Sequence, residues 1–536
     1  MKYVFVVGGV MSGVGKGVAA ASIGAILQAR GFKVTALKID PYVNVDAGTM
    51  NPTEHGEVFV LDDGTECDQD LGNYERFIGV SLSGANYMTT GSVYQTVINK
   101  ERQLYYDGKC VEVVPHIPLE VIDRINRAAK LAGAEIAIIE IGGTVGEYQN
   151  ILFLEAVRML KLKNPKDVVL ALVSYLPFLS KDSELKTKPT QYAVRTLNAG
   201  GVQPDIIIAR ASVPVDQKRR EKISFNCNIA EEDVISAPDV ESIYDIPVNF
   251  EKDNISGRLL KKFGLRPRTK DLKKFRKLGA KTRLAEKTVK VGIVGKYFGS
   301  GGFVLADSYI SVIEAVKHSA YSLGAKPIIE WIDAESLGDL KKYDGIIVPG
   351  GFGSRGVEGK IKAIKYCREQ KVPFFGLCYG MQLALIEISR HKLGFKDANT
   401  TEVNKGTKHP VIDILPEQKA NLAKKDMGGT MRLGAYPAVL QKNTIAYGAY
   451  KRNGISERHR HRYEVNPEYI SELQKAGVVF SGESPDGRLM EIMELPKKSH
   501  PFFLATQFHP ELKSNPFSPH PLFTEFIRAS LNNNGK

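Results

Sequence analysis

A glycine-rich loop near the amino terminus constrains the fold of this chain more than any other feature. The apolar run Tyr3–Val7 is typical of a buried strand, and it leads directly into GGVMSGVGKG, residues 8–17, after which helical periodicity begins. A strand, a glycine-rich turn and a helix in this order aim backbone N–H groups and the helix dipole at an anion. The loop therefore predicts a phosphate-binding site at the edge of an α/β sheet, with Lys16 reaching the outer phosphates.

The same alternation of strands and helices continues through the first half of the chain. Near-continuous apolar runs are typical of parallel strands that are covered on both faces. The predicted strands are Tyr3–Val7, Val34–Ile39, Val111–Val114, Ile136–Ile141, Val168–Val173 and Ile206–Ala209, and the predicted helices are Val18–Ala29 and Leu119–Leu131. This pattern indicates a doubly wound α/β domain.

The pattern stops near Leu265 and resumes farther along the chain. New apolar runs at Lys290–Gly295, Gly345–Pro349 and Pro373–Leu377 predict a second α/β sheet with its own core. We therefore predict two doubly wound domains, over residues 1–265 and 290–536, joined by a basic linker over residues 266–289.

Most of the net positive charge surrounds this linker. Residues 261–290 contain 13 Lys or Arg and two acidic residues, which gives +11 of the net charge of +13 for the whole chain. Leu272, Phe275, Leu278 and Leu284 form an apolar stripe at helical spacing that can dock the linker. A charge run between two apolar-patterned regions is usually a solvated linker, so we expect no binding of nucleic acid.

The cysteine pattern and the hydropathy of the chain indicate the cellular compartment of the protein. The five cysteines are scattered and form no C-x-x-C pair, which argues against a disulfide framework or a structural zinc site and favours a reducing compartment. Glycines and Lys16 interrupt the apolar run of residues 1–27, unlike a signal peptide. No stretch approaches the ~20 apolar residues of a spanning helix. We expect a cytoplasmic protein without a membrane partner.

The phosphate loop departs from the usual pattern at the position that normally contacts Mg²⁺. Gly17 stands where a Ser or Thr would follow the lysine. Mg²⁺ prefers one or two carboxylates together with phosphate oxygens and waters. The candidate ligands are Asp70, in an acidic loop, and Glu140, near the end of the strand Ile136–Ile141 and at the edge where α/β proteins build sites.

A second constellation has the pattern of a thiol nucleophile. Cys378 lies between Gly376 and Gly380, after an apolar strand and before a helix, which is typical of a nucleophile elbow. Near the carboxyl terminus, His509 can accept the thiol proton, and Glu511 can fix the imidazole tautomer. The backbone N–H groups of Gly351 and Tyr379 are candidates for an oxyanion hole.

These motifs resemble the CTP synthase family over essentially the whole chain. The cysteine with His-x-Glu and a GGFG loop is similar to class I glutamine amidotransferases. The resemblance to CTP synthases rests on GGVMSGVGKG (8–17), KIDPYVNVDAGTMNPTEHGEVFVLDDG (38–64), IEIGGTVGE (139–147), KTKPTQ (186–191), MGGTMRLG (427–434) and RHRHRYEVN (458–466).

The resemblance implies an amidoligase domain followed by a glutaminase domain, joined by an ammonia tunnel, in a homotetramer. It implies that ATP activates UTP, that ammonia cut from glutamine aminates it to CTP, and that this is the last step of de novo CTP synthesis. Mg²⁺ would be the cofactor, GTP an allosteric activator and CTP a feedback inhibitor. Filament assembly stays open, as do the tunnel's gating and the temperature optimum.

The family's binding residues carry over onto matching positions of this sequence. ATP would contact Gly13, Val14, Gly15, Lys16, Gly17, Val18, Lys38, Asp70, Asp239 and Val240, and Mg²⁺ would be held by Asp70 and Glu140. UTP or CTP would contact Ser12, Glu147, Tyr148, Gln149, Lys186, Thr187, Lys188, Pro189, Thr190, Gln191 and Lys222, close to subunit interfaces. Glutamine would contact Gly351, Tyr379, Gly380, Met381, Gln382, Glu402 and Arg462. His55 lies where the family couples its two sites.

Four positions depart from the family pattern, and one of them is Thr53, where some relatives have a larger polar or aromatic residue. Gln149 stands where many members have Glu, in a segment that the resemblance ties to CTP feedback. Tyr379 replaces the commoner Leu, and Ser354 replaces an aromatic residue in the glycine loop; both border the glutamine site and the lid on which GTP is expected to act.

Two alternative functional interpretations fit the sequence less well. Another amidotransferase, such as a GMP synthetase or a cobyrinic acid amidase, should lack KTKPTQ. A partition-type ATPase or a scaffold with a vestigial glutaminase should lack part of the Cys378, His509 and Glu511 set, and all three are present.

Overall fold

The structure is a computed structural model, and it describes residues 1–179, 184–269, 271–295, 306–414 and 429–533. The chain forms two compact units. The first unit comprises residues 1–47 and 70–280, and the second comprises residues 48–69 and 281–536. The domain limits predicted above stay predictions, but segment 48–69 groups with the second unit although it lies early in the chain.

The strands are β1 (Lys2–Gly8), β2 (Val34–Asp40), β3 (Val58–Val60), β4 (Glu66–Asp68), β5 (Tyr87–Thr89), β6 (Ile136–Ile141), β7 (Val168–Tyr175), β8 (Phe178–Leu179), β9 (Glu184–Leu185), β10 (Ile206–Ala211), β11 (Val234–Pro238), β12 (Lys287–Gly295), β13 (Ala325–Asp333), β14 (Gly345–Val348), β15 (Phe374–Leu377), β16 (Asn399–Thr400), β17 (Pro410–Ile414), β18 (Arg432–Leu440), β19 (Gly454–His461), β20 (Tyr463–Val465), β21 (Val479–Glu483), β22 (Met490–Glu494) and β23 (Phe503–Thr506).

The α-helices are α1 (Lys16–Ala29), α2 (Pro52–His55), α3 (Asp70–Ile78), α4 (Thr90–Arg102), α5 (Val113–Leu131), α6 (Ile151–Lys163), α7 (Lys188–Ala199), α8 (Gln217–Cys227), α9 (Ile246–Lys252), α10 (Ile255–Phe263), α11 (Lys273–Arg283), α12 (Ile310–Ser322), α13 (Val357–Gln370), α14 (Tyr379–His391), α15 (Ile445–Tyr450), α16 (Ile470–Lys475) and α17 (Pro521–Asn533).

A seven-stranded parallel sheet forms the centre of the first unit. Its strand order is β11-β10-β7-β1-β6-β2-β5, and β1 lies between β6 and β7, with Val4 opposite both Ile138 and Val169. Every residue of β2 and β6 is buried, because helices cover both faces of the sheet. The predicted α/β fold class is confirmed, and the loop after β1 lies at the carboxyl edge of this sheet.

One predicted strand is wrong. Residues 111–114 are not paired in the sheet, and helix α5 begins at Val113. The β-branched run has the local signature of a strand, but Val113 and Val114 are half exposed and Pro115 follows, so no neighbouring strand covers them. The sheet instead ends at the short strand β5, which the sequence reading missed.

A mixed nine-stranded sheet forms the core of the second unit. Its order is β13-β12-β14-β15-β23-β22-β21-β18-β19, parallel through β23 and antiparallel beyond it. Phe374, Phe375 and Phe503 are fully buried at its centre. The predicted second sheet is confirmed, and β14, β15 and β23 end at one edge.

Segment 48–69 contributes the antiparallel pair β3 and β4 to the second unit. Asp62 pairs with Arg458 at 2.7 Å, and Glu66 pairs with Arg460 at 2.8 Å, both on strand β19. His55, in the same segment, lies 3.5 Å from Asp68.

The basic linker contains helix α11. Leu272, Phe275 and Leu278 are buried, as predicted, and the Phe275 ring centroid lies 6.0 Å from that of Phe77. The predicted docking of Leu284 is wrong, because its side chain is 78% exposed just after the helix ends. Among the described residues, no helix is both long and apolar enough to cross a membrane.

Candidate functional site

The phosphate loop has the geometry that the sequence predicts. Strand β1 ends at Gly8, and Gly15, in the left-handed region at φ +82°, caps the start of α1. The Lys16 ammonium donates a hydrogen bond of 2.8 Å to the carbonyl oxygen of Gly143. Burial lowers the pKa of Lys16, with nearby carboxylates acting in the opposite direction. The helix dipole and this lysine make the loop suited to binding a polyphosphate.

The two candidate metal ligands meet beside this loop. The Lys38 ammonium donates hydrogen bonds to Asp70 at 2.5 Å and to Glu140 at 3.0 Å, and the Tyr74 hydroxyl donates to Glu140. Burial and the nearby Asp70 carboxylate raise the pKa of Glu140 to about 7. The two carboxylates thus crowd a site where a cation would relieve their repulsion, so the donor set fits Mg²⁺.

Gly17 explains how Asp70 reaches this position. A Cβ atom built on Gly17 would lie 1.8 Å from Oδ1 of Asp70. The carboxylate therefore occupies the space that the Ser or Thr side chain of the usual phosphate loop would need. Asp70 can approach the loop only because residue 17 is a glycine and not the usual Ser or Thr.

A cavity of about 210 Å³ continues from the phosphate loop. Gly15, Val18, Asp239 and Val240, which were predicted for ATP, all line it. Sequence reasoning missed Arg210, which also lines the cavity and pairs with Asp239 at 2.9 Å. Its place in β10, at the carboxyl end of a predicted strand, was the available signal.

Basic side chains predicted for UTP gather around one carboxylate. Lys186 pairs with Glu184 at 2.8 Å, and Arg219, on α8, pairs with the same carboxylate at 2.5 Å. The hydrogen bond and charge of Lys186, together with the charges of Arg219 and Lys222, lower the pKa of Glu184. Lys186 and Lys222 thus both act electrostatically on Glu184, and Arg219 is a third cation that sequence reasoning missed.

The other residues that were predicted to contact UTP lie in different environments. Thr190 and Gln191 are buried and bonded within the unit, Thr190 to Ser174 at 2.8 Å and Gln191 to Thr187 at 3.1 Å. Lys188 is exposed and Pro189 is half-buried at the start of α7. Ser12 is exposed on the phosphate loop, and within the described parts of the chain no hydrogen bond joins it to residues 186–191.

Glu147 organises the 147–149 segment. Its carboxylate accepts hydrogen bonds from the Thr144 N–H at 2.9 Å and from the Gln149 side-chain amide at 2.7 Å. Tyr148, between them, is 92% exposed. The Gln149 nitrogen is therefore engaged by its neighbour within the same segment.

Cys378 lies on the sharp turn between β15 and α14. Its backbone has φ +50° and ψ −100°, a conformation that non-glycine residues rarely adopt. The Cys378 N–H donates to the carbonyl oxygen of Thr506 at 2.7 Å, which anchors the turn to β23. The Gln507 amide, which sequence reasoning missed, lies 3.7 Å from the sulfur. The turn has the strand–turn–helix geometry of a nucleophile elbow.

His509 and Glu511, which were predicted as base and orienting acid, are in direct contact. Nδ1 of His509 is hydrogen-bonded to Oε1 of the buried Glu511 at 2.7 Å. Burial lowers the pKa of His509, but Glu511 and the Cys378 sulfur raise it by more, and the net shift is well upward. A Cβ atom on Gly350 would lie 2.8 Å from the imidazole, so only glycine fits there.

The glycine loop, residues 350–353, borders the same cavity. This cavity, of about 100 Å³, is lined by Gly350, Gly351, Cys378, His509 and Glu511. Within the described chain, the backbone N–H groups of Gly351 and Tyr379 have no acceptor. Both donors are therefore available to an oxyanion formed at Cys378.

Residues predicted for glutamine surround the loop and the elbow. Glu402 accepts a hydrogen bond of 2.8 Å from the N–H of Gly353, and Gln382 donates to the Tyr463 carbonyl at 3.0 Å. Arg462 is buried, next to Tyr463 in the chain. Gly380 and Met381 lie buried in the first turn of α14.

Comparison with known proteins gives matches over both halves of the chain. The family model described as CTP synthase N-terminus matches residues 2–265, and that described as glutamine amidotransferase class-I matches residues 304–529. A CTP synthase of Pyrococcus furiosus is 50% identical over 536 residues, 99% of this chain and 98% of that protein. A CTP synthase of Methanocaldococcus jannaschii is 50% identical over 544 residues, with the same coverage. A solved Trypanosoma brucei CTPS glutaminase domain with bound acivicin is 38% identical, covers 46% of this chain and 94% of that one, and has a TM-score of 0.41.

Proposed function

This chain belongs to the CTP synthase family, and we propose that the two sites described above divide the family's reaction between them. The protein is an ATP-dependent ligase that aminates UTP to CTP with ammonia from glutamine hydrolysis. The observation that supports the division is the arrangement of Cys378, His509 and Glu511 in one unit and of Lys16, Lys38, Asp70 and Glu140 in the other.

The second unit releases ammonia. The Cys378 thiolate attacks the side-chain amide carbon of glutamine, and the N–H groups of Gly351 and Tyr379 stabilise the oxyanion. His509, as imidazolium, donates its proton to the amide nitrogen as the C–N bond breaks, so that ammonia leaves, and the neutral imidazole then activates the water that hydrolyses the thioester to glutamate. Glu511 holds the imidazole in the required tautomer through their 2.7 Å hydrogen bond.

The first unit activates UTP. The C4 carbonyl of UTP is a poor electrophile, so ATP phosphorylates O4 and turns it into a leaving group that ammonia can displace. Lys16 and Lys38 offset charge on the transferred phosphoryl group. Mg²⁺, bound by Asp70 and Glu140, would add Lewis-acid stabilisation of the same charge.

The UTP triphosphate would be bound by the cationic group around Glu184. Lys186 and Arg219 already pair with one carboxylate, the charge of Lys222 acts on it too, and a triphosphate offers all three several more anionic oxygens. The segment 147–149 would contact ribose and base, which distinguishes CTP as a feedback inhibitor from UTP.

GTP is proposed as an activator that acts on the glycine loop. A cavity of about 440 Å³ is lined by Phe352, Arg355 and Arg460, together with residues 48–52. Phe352 is 53% exposed and can stack on a purine, and guanidinium groups suit phosphates. GTP should raise glutamine-dependent but not ammonia-dependent synthesis, and Arg355→Ala should reduce that activation.

A homotetramer is supported by apolar side chains left exposed on the first unit. Ile98, Leu104, Tyr105, Val113 and Leu119, on or next to α4 and α5, are between 44% and 71% exposed. Large apolar side chains left exposed along two neighbouring helices are typical of an interface between subunits. Light scattering coupled to size-exclusion chromatography should give four times the mass of the chain.

A cytoplasmic location is also proposed. Cys378 must stay a free thiol to attack glutamine, and all five cysteines are free. A reducing compartment keeps such thiols available.

Two substitutions test the division of labour. Cys378→Ala should abolish CTP formation from glutamine but preserve it with an added ammonium salt. Lys16→Ala should lose synthesis from either nitrogen source and keep glutaminase activity. Equal loss with both sources in a folded Cys378→Ala protein would contradict the two-site scheme, and ammonia-dependent activity near the wild-type level would remove Lys16 from phosphoryl transfer.

A further inference from the structure

The side chain of Tyr379 makes a contact that the reaction scheme above does not use. Tyr379 begins helix α14 directly after Cys378, and its side chain is buried. Its hydroxyl donates a hydrogen bond of 2.8 Å to the carbonyl oxygen of Gly353. We propose that this hydrogen bond holds the glycine loop in place, so that Tyr379 is a positioning residue for the oxyanion hole.

Gly353 is held at both of its peptide groups. Its carbonyl accepts from the Tyr379 hydroxyl, and its N–H donates to Oε1 of Glu402 at 2.8 Å. The residue has φ +75°, so the loop turns sharply at this point. Gly351, whose N–H faces the oxyanion in the proposed reaction, is only two residues away. Fixing Gly353 therefore limits the positions that the Gly351 N–H can take.

The tyrosine is itself rigidly placed. The Lys360 ammonium, on α13, lies 5.5 Å from the centroid of the Tyr379 ring, and both side chains are fully buried. Burial and the nearby Glu402 carboxylate raise the pKa of Tyr379, so the hydroxyl remains a protonated donor across the physiological range. Because this hydrogen-bond donor is held rigidly, it fixes the glycine loop relative to α14.

This link matters because the oxyanion hole is assembled from two segments. One N–H belongs to Gly351, in the loop after β14, and the other belongs to Tyr379 at the start of α14. The Tyr379 residue supplies one donor with its backbone and fixes the segment of the other donor with its side chain. An aliphatic residue at position 379 would keep the first role and lose the second.

The test is Tyr379→Phe, which keeps the ring and removes the hydroxyl; it rests on the proposed role of Cys378 as nucleophile. Complete removal of an oxyanion donor typically costs about 10²–10³ in rate, and loosening one should cost part of that. We expect kcat for glutamine hydrolysis to fall about tenfold and KM for glutamine to change less than threefold. Retention of more than half of the wild-type kcat would overturn the proposal.

Alkylation of Cys378 by iodoacetamide measures the reactivity of the thiol without any contribution from the oxyanion hole. In that reaction the thiolate displaces iodide and no oxyanion forms, so its rate in Tyr379→Phe should equal that of the wild type. The modification is followed by peptide mass spectrometry, with the exposed Cys110 as internal reference. A parallel loss of alkylation would place the defect in the thiol and refute the positioning role.

Tyr450→Phe is the matched control. Tyr450 is also a buried tyrosine of the second unit, and its hydroxyl donates to Glu457 at 2.9 Å. Its substitution should leave kcat unchanged; an equal fall would reduce the Tyr379 effect to general destabilisation and overturn the proposal. Cys378→Ala tests the premise separately, because glutaminase activity surviving in that variant would refute the nucleophile and not the loop contact.

Discussion

Gly17→Ala places a methyl group in space that the Asp70 carboxylate occupies. A Cβ atom at residue 17 would lie 1.8 Å from Oδ1 and 2.3 Å from Cγ of Asp70. Cβ contacts below 3.0 Å are essentially never seen, so the carboxylate oxygen must move by about 1.2 Å or more. A displacement of about 1 Å in a catalytic group can lower the rate about 10²-fold. The hydrogen bond from Lys38 to Asp70 would be lost at the same time.

The assay is CTP formation from ATP, UTP and an ammonium salt without glutamine, because it isolates the first unit. We expect the Gly17→Ala rate to be about 100-fold below that of the wild type. Glutamine hydrolysis should persist, since the substitution lies outside the second unit.

Gly24→Ala provides the control within the same helix. Its Cβ would meet Cδ1 of Ile78 at 2.8 Å, the far end of a flexible side chain that can rotate away. Both substitutions raise the helix propensity of α1 by about 1 kcal/mol, so propensity cannot separate them. The Gly24 variant should stay within about twofold of the wild type. A Gly17→Ala protein that keeps more than a tenth of the wild-type rate would refute the role assigned to Asp70.

Three further outcomes are expected. Glu511→Gln removes the charge that raises the pKa of His509 against the effect of burial, so the imidazolium is lost at lower pH. The alkaline limb of the plot of glutaminase rate against pH should therefore move to lower pH. Glu457→Gln, which alters another buried His–Glu pair, should leave that limb in place. Gln149→Glu should tighten CTP inhibition about fivefold, roughly 1 kcal/mol, because it frees Glu147 and adds a charged acceptor; unchanged or weaker inhibition would count against this. The basic linker should retain no DNA or RNA in filter binding at moderate salt, and sub-micromolar, steeply salt-dependent affinity would contradict the prediction.

Most central strands of the first sheet, and β12, β14 and β15 of the second, were predictable because burial on two faces leaves a local signature; β11, β13, β18, β19 and β21 to β23 were not predicted. Every residue of β6 is buried, and its apolar run gives the strand its observed bounds. The same signature failed at residues 111–114, since it records side-chain type and not whether a partner strand exists. The three-residue strand β5 was missed for the opposite reason: it is too short to show a pattern.

Candidate site residues were predictable where neighbouring residues in the sequence form a motif. They were missed where their role depends on a contact with a residue far away in the sequence. The elbow at Cys378 is encoded by adjacent glycines, strand and helix. Arg219 has no local signal and Arg210 has only its place at the end of a predicted strand; their roles follow from pairing with Glu184 and Asp239, which lie 35 and 29 residues away. The reason for Gly17 likewise appears only when Asp70 is placed in space.

The membership of residues 48–69 in the second unit affects how the protein could be taken apart. The chain passes from one unit to the other after residues 47, 69 and 280, so a single proteolytic cut in the basic linker would leave two covalent connections intact. A glutaminase fragment that starts at residue 281 would also lack Asp62 and Glu66, leaving Arg458 and Arg460 without these carboxylates. A transplantable ammonia-producing module would therefore need a short piece of the opposite end of the gene grafted onto it.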